Sequence, residues 1–103
     1  MMSDDVFRPR HGPAQAIYDA LRLEAGKRSG RQFEVWRAAE LQAVWAAARD
    51  AAQQAGLPVP TMADVEKAEV LASGHIDYAS KWAYGVVEAM HRAKRSQAAA
   101  GMC

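Results

Sequence analysis

From Val65 to Arg95 the chain carries its longest run of apolar side chains at a helical spacing, and any fold it adopts must bury that stripe. Advancing about 100° per residue from Val65, one arc collects Val65, Ala68, Leu71, Ala72, His75, Ile76, Ala79, Trp82, Ala83, Val86, Val87 and Met90. The opposite arc collects Glu66, Lys67, Asp77, Lys81, Glu88, Arg92 and Arg95, while Glu69 and Val70 fall on the wrong sides. Gly74 lies on the polar arc and the phase continues past it, so the pattern predicts one helix over about 61–95. Thr61 followed by Asp64 supplies its start, because the hydroxyl can accept from the third helical amide while the carboxylate reaches back.

Two further helices precede it. Pro13 suits a first helical turn, and Ala14, Ile17, Ala20, Leu21 and Ala25 share a face before Gly26, read as a left-handed stop, which predicts a helix over 13–25. Ser29 with Gln32 reads as a second capping box and predicts a helix over 30–55, through Phe33, Trp36, Leu41, Val44 and Trp45. Gly56, Leu57 and Pro58 then combine a glycine cap, an apolar residue and a block to continuation. No window alternates at period two, so the fold class is all-α, a three-helix up-down-up arrangement with a long C-terminal helix. Residues 1–12 read as a mobile N-terminal arm, 13–97 as a single helical domain and 98–103 as a frayed tail.

The 103 residues are half apolar or aromatic, enough for one core without staples. Thirteen Lys and Arg against 12 Asp and Glu leave a net charge of +1, too little to draw in nucleic acid or a membrane by field alone. The one cysteine, Cys103, excludes an intrachain disulfide and a thiolate metal cluster. Neither a signal-peptide pattern nor an apolar run of membrane-spanning length is present, which points to a cytoplasmic protein with no membrane contact.

If the second and third helices are antiparallel, Glu40 stands at the level of Ile76, beside His75. Each then sits within an apolar stripe, and a buried carboxylate without a partner is costly. The expectation is a buried polar pair, Glu40 with His75, joined directly, through Tyr78 or through a water. The same two residues could serve as an acid/base pair or as metal ligands, but the structural pairing is preferred because a metal would need further ligands. The third helix also overhangs the second, leaving Val86, Val87 and Met90 as a self-association surface, with Trp45 at the edge of its own stripe as a further partner-binding aromatic. The predicted assembly is a homodimer about a two-fold axis.

His91, Arg92, Lys94 and Arg95 form a basic helix end, and Lys27, Arg28 and Arg31 a second patch. Both suit phosphate contacts, although cations near a helix C-terminus also complement its dipole. Phosphate-loop, zinc-finger, nucleophile-elbow and dinucleotide signatures are missing from the sequence, so no catalytic residue, metal or cofactor is assigned.

Gly74-His75-Ile76-Asp77-Tyr78 with Lys81-Trp82 resembles a Gly-His-x-Asp-Tyr-x-x-Lys-aromatic segment of small proteins from tailed phages and prophages. The resemblance spans about a dozen residues and carries no activity with it. It implies an accessory protein in a bacterial cytoplasm that contacts a host or phage protein, inhibition of a host defence being one such role. The leading expectation is therefore a non-catalytic helical interaction module. A nucleic-acid-associated regulator is second, and a small metal-dependent enzyme centred on Glu40 and His75 third.

Overall fold

The computed structural model describes Pro9, residues 12–26 and residues 36–101. Among these the protein is all-helical, with α1 Gly12–Gly26, α2 Ala38–Ala55, α3 Met62–Ala72 and α4 Tyr78–Gly101. Residues expected to form one third helix thus form two, and the predicted three-helix arrangement is replaced by four. Pro9, within the segment expected to be a mobile arm, is fully buried. The rest of that segment before Gly12 lies outside the described residues. At the other end α4 extends to Gly101.

Helix α1 buries Ala14, Ile17, Tyr18 and Leu21, a stripe at three- and four-residue steps. Gly26, its last described residue, does not take the expected left-handed turn, since among the described residues the positive-φ glycines are Gly12, Gly56 and Gly74. The proposed start of the second helix at Gly30 lies outside the described residues. Arg37, however, is extended (φ −92°, ψ 159°), so no helix runs unbroken from 30 to 55. What starts α2 is Glu40, whose carboxylate accepts the backbone N–H of Arg37 at 2.8 Å and places negative charge at the positive end of the helix. The C-terminus of α2 follows the expected chemistry. Gly56 is left-handed (φ 71°), its N–H donates to the Gln53 carbonyl, and the N–H of Leu57 donates to the Ala52 carbonyl at 2.8 Å.

Thr61 and Asp64 form the expected reciprocal cap of α3, at 3.1 and 3.0 Å. The break between α3 and α4 is equally local in origin. The Ser73 N–H bonds back to the carbonyls of Glu69 and Val70, Gly74 turns left-handed (φ 87°), and the His75 N–H returns to the Ala72 carbonyl. A residue with a Cβ is disfavoured at such a φ, so glycine here allows the chain to reverse. Helices α3 and α4 then pack together as a hairpin.

Where they cross, a methyl group placed on Gly85 would sit 3.0 Å from the Ala68 Cβ, tighter than ordinary carbon contact. The missing side chain lets the two backbones meet. One core results, joining Ile17 and Leu21 of α1, Val44 and Ala48 of α2, Val65 and Ala68 of α3, and Trp82, Val86 and Met90 of α4. Helix α1 packs against both α2 and α4.

Candidate interaction face on the helical hairpin

The core side of the hairpin is held by three aromatic residues. Trp82 is fully buried, donates its indole N–H to the Val65 carbonyl at 3.0 Å, and meets Trp36 edge-on with ring centroids 4.8 Å apart. The Trp36 indole donates to the Tyr78 hydroxyl at 2.9 Å, and that hydroxyl donates to the Glu69 carboxylate at 2.6 Å. This chain ties the segment before α2 to both arms of the hairpin. Replacing Tyr78 by Phe removes a group that both accepts and donates. The expected loss is about 1–2 kcal/mol, because the half-buried Glu69 can recover water. Denaturant midpoints of the two proteins at unchanged slope check this.

The outer side is different. Val70, Leu71, Ile76 and Tyr84 are 67, 66, 89 and 53% exposed, and they cluster in sequence around the end of α3, the turn and the start of α4. Single exposed apolar residues are ordinary, whereas here four large ones fall on one supersecondary unit. An open groove of about 650 Å³ lies on this unit, bordered by Leu71, Asp77, Lys81, Tyr84, Glu88 and His91. Leu71, Tyr84 and Val87, with Ala68 and Ala72 of α3, supply apolar lining, and Asp77, Lys81 and Glu88 supply charges of alternating sign.

Several expected site residues are placed otherwise. His75 is exposed and Glu40 caps α2, so the predicted buried pair is not formed. The stripe expected to bury His75 is interrupted one residue before it, at Gly74. Tyr78 is buried, but its hydroxyl serves Glu69 and Trp36. With the pair gone, the acid/base and metal readings centred on it lose their geometry. Among the described residues no three His, Cys, Asp or Glu side chains are gathered to hold a metal ion.

Val86 and Met90, expected to be uncovered, are fully buried, and only Val87 of that trio keeps partial exposure. They join the cluster that includes Ile17 and Leu21 of α1. Trp45 is half-buried, donates to the Pro60 carbonyl at 2.8 Å and is flanked by the Arg49 guanidinium at 5.3 Å, so it fastens the connector to α2.

His91, Arg92, Lys94 and Arg95 are all exposed on α4, with Arg95 bonded to Glu88 at 3.2 Å. Lys27, Arg28 and Arg31 lie outside the described residues. Sequence reasoning missed Leu71, Ile76 and Tyr84 as surface residues. The available signals were Ser73-Gly74 following Ala72, which is a helix stop, and the misfit of Glu69 and Val70 just before it.

No family model, curated protein or solved structure matches the chain. Among the described residues no helix is long and apolar enough to cross a membrane.

Proposed function

We propose that the protein is a small non-catalytic helical module that acts by binding another protein through the outer face of the α3–α4 hairpin. The observation that carries this is the exposure of Val70, Leu71, Ile76 and Tyr84 on one unit beside an open groove. Full burial of an apolar side chain of this size is worth about 1.5–3 kcal/mol, so a matching surface covering even two of them gains measurable affinity. The resemblance of residues 74–82 to small phage and prophage proteins supports a bacterial or phage protein as the partner class, with inhibition of a host defence protein as one such role. Of that segment, Gly74, Tyr78 and Trp82 have structural tasks, whereas His75 and Ile76 are offered to the outside.

The test is capture from a bacterial lysate with the wild-type chain and with Leu71→Asp/Ile76→Asp, followed by calorimetry with the purified partner. Both positions are exposed, so the variant is expected to keep its helicity and lose less than about 0.5 kcal/mol per site. Its affinity for the partner is expected to fall at least tenfold, about 1.4 kcal/mol. Equal affinity of the two proteins would remove this face from the reading. Nucleic-acid binding is the second reading, since Arg92 and Lys94 are exposed and make no ion pair among the described residues. A mobility shift that weakens steeply with salt would favour it.

A further inference from the structure

The charges on the exposed side of α4 are complementary to those of an inverted copy of the same helix. Asp77, at its threshold, and Lys81, Tyr84, Glu88 and His91 recur at three- and four-residue steps and so share one stripe. The last four are exposed and Asp77 is half-buried.

We propose that the hairpin face binds a second copy of this chain, docked antiparallel along α4 about a two-fold axis passing between Tyr84 and Gly85. The proposal rests on the reading of this face as a binding surface and names its occupant. Residues equally far from the axis then face each other. Lys81 meets the partner's Glu88, Glu88 meets the partner's Lys81, Asp77 meets the partner's His91 and Arg92, and the two Tyr84 rings meet at the centre. Because Ala68 lies against Gly85 in the antiparallel hairpin, Leu71 stands about one turn of α4 from the axis, and the two copies of Leu71 flank the tyrosines.

The charge pattern selects this register against its neighbours. Sliding the copy by one heptad in one direction sets Glu88 on Glu88 and Lys81 on Arg95, and in the other direction sets Lys81 on Lys81. A parallel, in-register pair opposes every charge to its own kind. Like charges brought together across an interface act against the wrong alignment more strongly than a single exposed ion pair favours the right one. The paired stretch spans about 16 residues, roughly 23 Å of helix. Lys81 makes no ion pair among the described residues, and the Glu88–Arg95 pair is more than half exposed on both sides, so sharing Glu88 with the partner's Lys81 sacrifices little.

The experiment measures the mass of the full chain by sedimentation equilibrium across the micromolar range, with circular dichroism on every variant. The wild type is expected to be a dimer. Lys81→Glu and Glu88→Lys are each expected to weaken it about tenfold or more, and Lys81→Gln less, because it adds no like charge. The double variant Lys81→Glu/Glu88→Lys restores both opposed pairs and is expected to return to within about threefold of wild type.

A wild type that stays monomeric throughout overturns the proposal but leaves capture of a different protein intact. A dimer insensitive to the single reversals, or one not rescued by the double variant, overturns this interface. Unchanged affinity of Leu71→Asp/Ile76→Asp for a captured protein would instead strike at the binding-face reading itself.

Discussion

Trp82→Ala is expected to remove a large share of the stability of the native fold. Trp82 is the largest fully buried side chain among the described residues, and its loss opens a cavity against Trp36, Tyr78 and Val65 while discarding the bond to the Val65 carbonyl. Truncations of this kind cost about 3–5 kcal/mol, against a total stability of about 5–15 kcal/mol for a domain of this length. The melting temperature should fall by about 15–30 °C, with loss of the near-ultraviolet aromatic dichroism. A drop of only a few degrees would mean that the core is not centred on this residue.

Gly85→Leu is expected to have the next largest effect, for the opposite reason. The first added carbon would already sit 3.0 Å from the Ala68 Cβ, and three more must follow it into the α3–α4 contact. The helices must separate, at about 2–3 kcal/mol, despite the better helix propensity of leucine. Gly85→Ala is finely balanced, since about 1 kcal/mol of propensity opposes one crowded methyl. Adding Ala68→Gly to it moves the space to the other helix, and recovery of stability in that double variant over Ala68→Gly alone would locate the close contact. Thermal melts of the four proteins provide the comparison.

The chemistry of helix ends separates what the sequence discloses from what it hides. The Thr61–Asp64 cap and the Gly56-Leu57-Pro58 stop were readable because each needs only neighbouring residues, and both occur where expected. Arg37 has no side-chain acceptor, so the start of α2 is signalled only by Glu40, which then reads as a polar intrusion into an apolar stripe. A helical wheel lets Gly74 fall on the polar arc without a break in phase, because it counts angles and contains no information on whether the hydrogen bonds continue. Ala68, Ala72, Ala79, Trp82 and Ala83 are indeed buried, while Leu71, His75 and Ile76 near the break are exposed. The burial of Val86 and Met90 was hidden for another reason: periodicity identifies a face but not the element that covers it, and α1 reaches α4 along a path that no local signal specifies.

The reversal at Gly74 also bears on the order in which contacts can form. Trp82 finds Val65 across 17 residues of chain, whereas Ile17 and Met90, brought into one core by the packing of α1 on α4, are separated by more than four times that length. Closing the longer loop costs roughly 1.2 kcal/mol more in chain entropy, two doublings at about 0.6 kcal/mol each. Local contacts therefore hold a kinetic advantage, and the hairpin is the unit best placed to assemble before α1 docks. Leu71, Ile76 and Tyr84 belong to that early unit, so the face proposed for binding takes shape ahead of the completed core.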